Sequence, residues 1–463
     1  MQYPHGDKTG TGGKRYKSRL AVRGEKVRWS QEVLGSSDKM KPQQLGAALK
    51  SLAESHATKR SFGDNDQRPV SELDFSATGG MVGLDKEGAQ KVDDLAQQLI
   101  LDRPKISEQC SKDVVRSEIL ESVKELVYSK APLDPSGVAS SLIKRLSGAP
   151  SKFIFVFPVK GGQLVSIIVL NRITLVPSLE MVSSAMTSRF PDDITTPSQD
   201  IDTMLRSNET PINAPPTKPD WFVISAASAM DEKKAEEIAF HIAEEDLGLL
   251  RFRMLGGSRN SVDTVSVELL DDPVLTHKKG QLLGSLRGAL PSETFLLPVR
   301  IMGSVQEVLD LNAGSAESSF RSIVEILNNG HRSGMQERVY LGYTWLNKAL
   351  KQKDTREQLL DAIIGMEALL LMPYESRGDT LAERMAFCLG KDLRSREEIF
   401  SQVKELMQTR NRVSHQGETK VVKQQADAAC RALGRLTVVM AEKSQTVNEI
   451  GDLLREIQVM KFS

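Results

Sequence analysis

Apolar residues recur three and four apart along most of the last third of the chain. The segments "ESSFRSIVEILNNG", "ERVYLGYTWLNKALKQ", "TREQLLDAIIGMEALLLM", "DTLAERMAFCLG", "SREEIFSQVKELMQTRNRVSHQG" and "KQQADAACRALGRLTVVMAEK" each carry this helical spacing. Breaks at Gly, Pro and Asp-Thr supply caps and turns between them. The pattern predicts an all-α helical bundle over residues 313–450.

The region 76–312 reads as mixed α and β. Helical spacing occupies 86–148 and returns in "AEEIAFHIAEEDLG" (235–248). Between these stretches "KFIFVFPV" (152–159) and "QLVSIIVLNRITLVP" (163–177), joined through Gly161-Gly162, predict a β-hairpin. "WFVISAA" (221–227) predicts a buried strand, and "TVSVELL" (264–270) and "TFLLPVRI" (294–301) predict further strands. Residues 1–75 are polar, Gly/Ser-rich and weakly periodic. The fold class expected is therefore α+β and multidomain: a polar basic arm (1–75), a mixed α/β sensor or regulatory domain (76–312) and the helical bundle (313–450).

Composition narrows the function classes without choosing one. The chain has 463 residues, 40% hydrophobic and 26% charged, with Lys+Arg and Asp+Glu both at 61. No global field draws it to nucleic acid or membrane, so any such contact is local. The three cysteines, Cys110, Cys388 and Cys430, lie far apart with no CxxC pair, which argues against a disulfide framework or thiolate zinc site and fits a reducing cytoplasm. The run "AIIGMEALLLM" is too short to cross a bilayer and contains Glu367. No apolar segment near the N-terminus suits a signal peptide. Eight Lys/Arg against Asp7 and Glu25 make the first thirty residues basic. A solvated tail, an RNA-binding arm and a transit peptide all answer to that composition. "TGTGGK" (9–14) lacks both the preceding strand and the Lys-Ser/Thr ending of a phosphate loop.

The chemistry concentrates in "TRNRVSHQG" (409–417). On a helical wheel, Ile399, Phe400, Val403, Leu406, Met407 and Val413 form one apolar stripe. Arg410 falls inside it, Arg412 falls on the solvated side, and Asn411 and His415 stack on the stripe's edge. A guanidinium buried without a partner costs several kcal/mol, so Arg410 requires an anion. Glu367, itself inside an apolar run, is the internal candidate; a partner chain and a bound phosphate are the others. His241, Glu244 and Glu245 lack HExxH or HxxEH spacing and read as a solvated helix face, with no metal site expected. Trp345 and Tyr343 read as core or edge residues of their helix, and no G-x-S-x-G elbow is present.

The run Arg410-Asn411-x-x-x-His415 is similar to the R-x(4–6)-H motif of the HEPN superfamily. The ordered segments "LLDAIIGMEALLL", "LAERMAFCLG" and "REEIF" ahead of it resemble Apea-like HEPN domains of prokaryotic defence proteins, over roughly residues 315–445. His-Gln-Gly stands here where many relatives have His-Gly. The resemblance implies a metal-independent endoribonuclease, needing no cofactor, in an antiviral or toxin-type system. Its catalytic residues would be Arg410, Asn411 and His415, with Glu367 in support and Arg412 on the RNA. It further implies a homodimer with one composite cleft and a phage-derived or nucleotide trigger acting on the N-terminal domain. A non-catalytic RNA-binding or scaffold protein with a structural Arg/His motif is the alternative, and a nucleotide-responsive regulator a third. The latter has no Gly-rich phosphate loop after a strand to support it.

Overall fold

The computed structural model describes residues 40–60, 72–75, 81–129, 132–160, 164, 166–194, 199–201, 221–257, 268–269, 275–278, 281–283, 316–416 and 421–462. The basic stretch 1–39, the "TFLLPVRI" segment and Gly417 lie outside the described residues. The chain forms two compact units: Met1–Pro104 with Arg116–Ile143, and Lys105–Val115 with Lys144–Ser463. Its coarse class is α+β, with the antiparallel sheets of the described residues lying between 57 and 283 and helices throughout the C-terminal part.

The first unit holds α1 (Pro42–Ser55), the antiparallel strands β1 (Ala57–Arg60), β2 (Glu72–Phe75) and β3 (Met81–Leu84) in the order β1-β3-β2, and α2 (Lys86–Asp102). Most of α4 (Lys112–Tyr128) and α5 (Pro135–Leu146) belongs to it as well. Part of the stretch read as a polar arm is thus a helix. Leu45, Leu49 and Leu52 of α1 are buried, at a spacing the surrounding polar residues obscure. Asp85 caps α2 by accepting from Gly88 N at 2.6 Å.

In the second unit, which opens with most of α3 (Pro104–Gln109), six strands run in the order β10-β9-β4-β7-β6-β5, and β8 also pairs with β4. They are β4 (Ser151–Lys160), β5 (Ile168–Leu170), β6 (Ile173–Val176), β7 (Trp221–Ala229), β8 (Glu268–Leu269), β9 (Leu275–Lys278) and β10 (Gln281–Leu283). Every pairing is antiparallel. Strand β4 alternates between two cores. Phe153, Phe155 and Phe157 pack toward α7 (Glu232–Gly257), whose Ala235, Ala239 and Ala243 let it lie close. Ile154 and Val156 pack with α6 (Val182–Arg189) on the other face. Both faces are covered, which is why "KFIFVFPV" is apolar at nearly every position.

The expected hairpin through Gly161-Gly162 does not form. Strand β4 pairs with β7, and the hairpin is β5–β6 within what reads as one long strand. Its two-residue turn is Asn171-Arg172, with Asn171 at φ 48°. Asn tolerates the left-handed region this turn needs, while Gly161 and Gly162 lie outside the described residues.

The helical part comprises α8 (Ala316–Asn328), α9 (Gly334–Lys351), α10 (Thr355–Leu370), α11 (Gly378–Leu389), α12 (Leu393–Gln416), α13 (Lys423–Lys443) and α14 (Ile450–Phe462). One continuous core joins Val339, Leu346, Ile363, Met366, Leu369, Met385, Leu406, Leu433 and Met440. Ser333 and Gln336 form a capping box at the start of α9, and Asp354 caps α10. Helix α14 extends past the predicted boundary at 450, with Ile450, Leu453 and Ile457 buried.

Candidate functional site

Helix α12 carries the Arg-Asn-x-x-x-His run in its last two turns. The predicted stripe faces the core: Val403, Leu406 and Met407 are buried, and Ile399, Phe400 and Val413 pack partly buried against it. Arg410 is half-buried, while Asn411 and Arg412 are exposed. Among the described residues, Arg410 Nη1 donates to Asn411 Oδ1 at 3.2 Å and no carboxylate pairs with the guanidinium. Arg412 Nη2 donates to Thr409 Oγ1 at 3.1 Å, and buried Thr409 donates to Glu405 O. Position 415 lies in the last helical turn of α12; the His415 side chain is outside the described residues.

Glu367 does not serve Arg410. Its Oε2 lies 3.5 Å from Arg377 Nη1, and its other oxygen is buried without a hydrogen-bond partner. Arg377 sits in the short loop directly after α10, so it reaches Glu367 with little chain to order. Helix wheels cannot foresee that competition, because the loop has no period. The result is a guanidinium fork, partly withdrawn from water, whose described partner is a neutral amide. Such a fork is suited to an incoming phosphate.

A second constellation escaped the sequence. Glu244, Glu245 and Asp246, three successive acids of α7, are all buried, in place of the expected solvated face. Asp246, fully buried, accepts from Arg172 N at 2.8 Å, Arg172 Nε at 3.1 Å and Asn171 Nδ2 at 3.2 Å. Glu245 accepts from Tyr340 Oη at 2.6 Å and Arg172 Nη2 at 2.9 Å, with His241 Nε2 at 3.1 Å. Glu244 meets Lys351 Nζ at 2.7 Å and Arg251 Nη1 at 3.4 Å. Tyr343, a core residue as expected, donates its hydroxyl to Glu245 O. Burial opposes ionisation of Glu245, yet the His241 and Tyr340 hydrogen bonds and the Arg172 charge carry its carboxyl down to about 2. The Glu245 contact raises His241 above the ordinary imidazole value. A signal was present: Ala239, Ala243, Asp246 and Leu250 follow helical spacing, which puts Asp246 inside the apolar stripe.

The thiols stand apart from any such chemistry. Burial pushes Cys388 up to about 11 and Cys430 up to about 12, which leaves little thiolate at neutral pH. Among the described residues no helix is long and apolar enough to cross a membrane. No family model, curated protein or solved structure matches the chain.

Proposed function

We propose that the C-terminal helical bundle is a HEPN-type, metal-independent endoribonuclease, and that the chain acts in prokaryotic antiviral or toxin-type defence. The observation that supports this reading is Arg410. It is half-buried in the stripe of α12, and the carboxylate that a purely structural role would require is engaged by Arg377. Among the described residues the structural ion pair that would make the motif inert therefore lacks its partner, which weakens the scaffold alternative.

In the proposed reaction the RNA 2′-oxygen loses its proton to a base and attacks the adjacent phosphorus. The 5′-oxygen leaves with a proton from His415, giving a 2′,3′-cyclic phosphate and a 5′-hydroxyl end. Arg410 offsets the negative charge that builds on the phosphorane, and Asn411 orients His415 or a phosphate oxygen. Position 415 in the last turn suits the acid role, because a helix C-terminus favours the protonated imidazole. The base is the partner's His415 in a homodimer whose α12 ends share one cleft. Arg412 contacts the RNA backbone, and the N-terminal region senses a phage-derived or nucleotide trigger.

The test is cleavage of single-stranded RNA by the full chain. His415→Ala is expected to lower the rate roughly 100- to 10,000-fold, and Arg410→Gln roughly 100- to 1,000-fold. Cutting should persist in EDTA, stop on a 2′-deoxy substrate and leave cyclic-phosphate ends. Full activity in His415→Ala, or comparable cutting of DNA, overturns the mechanism.

A further inference from the structure

Tyr374 lies in the loop between α10 and α11 with φ at 70°. For a bulky residue the left-handed region is unfavourable, and Gly or Asn would ordinarily fill it. Its ring is also wholly in solvent, at 106% relative exposure. Neither burial nor, among the described residues, a hydrogen bond or ring contact rewards an aromatic there.

The loop that holds it is braced. Arg338 Nη1 donates to Ala368 O at 2.8 Å and Leu371 O at 3.0 Å, closing the end of α10. Arg384 donates to both oxygens of Glu375 at 2.7 and 2.8 Å and to Leu370 O at 2.6 Å. Glu375 Oε2 in turn accepts from Met372 N at 2.6 Å. Arg384 holds the Glu375 carboxyl below its ordinary range, so the brace is charged at neutral pH. A flexible loop would shed the unfavourable φ; this one is over-determined on either side of Tyr374. Persistent strain at such a point marks a site where the side chain is displayed for use.

The loop leads into α11, whose first turn meets the candidate nuclease helix. Asp379, at the start of α11, pairs with Lys404 of α12 at 3.0 Å. Lys404 and Asn411 are two turns apart on the same side of α12, a rise of about 10 Å. Arg377, 60% exposed at the side chain although it pairs with Glu367, stands three positions further along the same loop. One ring with a neighbouring guanidinium matches one base and its phosphate. A protein partner would call for a broader apolar patch than this.

We infer that Tyr374 is a stacking platform for an unpaired nucleobase of single-stranded RNA lying beside the cleaved phosphate. This rests on the ribonuclease reading for its location, and the test separates the two. The probe is a fluorescently labelled, short single-stranded 2′-O-methyl RNA, which cannot be cut, titrated into the full chain by anisotropy. Tyr374→Ala and Tyr374→Gly should weaken binding by roughly 5- to 150-fold, the equivalent of about 1–3 kcal/mol for one stacked base. Tyr374→Phe and Tyr374→Trp should bind as the parent does. Tyr374→Gly should meanwhile melt no lower than the parent, since glycine relieves the unfavourable φ; a structural tyrosine would give the opposite. Unchanged binding in Tyr374→Ala, or no RNA binding by the parent chain, overturns the inference. So does a change of oligomeric state by light scattering with RNA affinity intact, which would mark a protein contact. If binding shifts as expected while no RNA is ever cut, the nuclease reading fails and the stacking site stands.

Discussion

Arg172 is the residue whose removal should cost the second unit most for the least change in volume. Its side chain reaches Asp246, which has no solvent exposure, and Glu245, which has little. In Arg172→Ala the Asp246 carboxylate keeps only the backbone N–H of residue 172 and the Asn171 amide as donors. Breaking a buried pair by removing one partner costs about 3–5 kcal/mol. That is a large part of the roughly 5–15 kcal/mol that holds a domain together. An exposed pair on α14 provides the contrast: Arg455 and Asp452 are 2.8 Å apart, with side chains 82% and 51% exposed. Arg455→Ala should cost about 0–1 kcal/mol. Urea unfolding followed by tryptophan fluorescence, to which Trp221 and Trp345 of this unit contribute, reads both. Replacing both charges, in Arg172→Met with Asp246→Leu, should cost less than Arg172→Ala alone, because the fully buried Asp246 charge goes with its partner and Glu245 keeps Tyr340 and His241. An Arg172→Ala loss no larger than that of Arg455→Ala, or a double variant as costly as the two single losses combined, refutes the reasoning.

Two further outcomes follow from the same joint between sheet and bundle. Glu245 titrates near 2 in the folded chain against an ordinary 4.5, so the unfolded chain binds its proton more readily and the stabilisation present above about pH 4.5 is lost as pH falls toward 2. Glu245→Gln should flatten the acid limb of a stability–pH profile, and an unchanged limb refutes the assignment. A Cβ on Gly248 would lie 2.5 Å from Tyr343 Oη and 2.7 Å from the Asn347 amide carbon, both pinned by hydrogen bonds to α7. Gly248→Ala should therefore lower stability by about 1–3 kcal/mol through overpacking, and a neutral melting curve would show that α7 shifts to make room.

The helical bundle was legible because its stripes are long and its core is built within helices. The stripe of α12 from Ile399 to Val413 can be read from spacing alone, and the structure buries its middle and half-buries its ends. Strand β4 was legible as a strand but not in its pairing, since it is apolar throughout from Phe153 to Val159 and no alternation fixes a neighbour. What decided the hairpin was Asn171, one turn residue inside an apolar run. The acids of α7 were misread for a different reason. An Asp or Glu goes inside only when partners cancel its charge, and Arg172, Tyr340 and Lys351 come from distant stretches of chain. The same holds for Glu367: its choice of Arg377 over Arg410 is a matter of loop geometry. Of the motif itself, spacing located Arg410 and Asn411 correctly on their helix, while the isolated Tyr374 carried no periodic signal at all.

The three successive acids have a mechanical consequence for α7. Neighbouring positions on a helix project about 100° apart, so Glu244, Glu245 and Asp246 together span about 200° of its circumference. On one side Lys351 and Tyr340 of α9 hold the arc, and on the other the Asn171-Arg172 turn. Torque about the helix axis would have to stretch bonds at both ends of the arc at once. Gly248 removes the remaining slack by bringing α7 directly against Tyr343 and Asn347. Helix α7 is thus keyed like a shaft in its bearing, and a displacement of it between sheet and bundle would have to be tilt or slide, with its azimuth preserved.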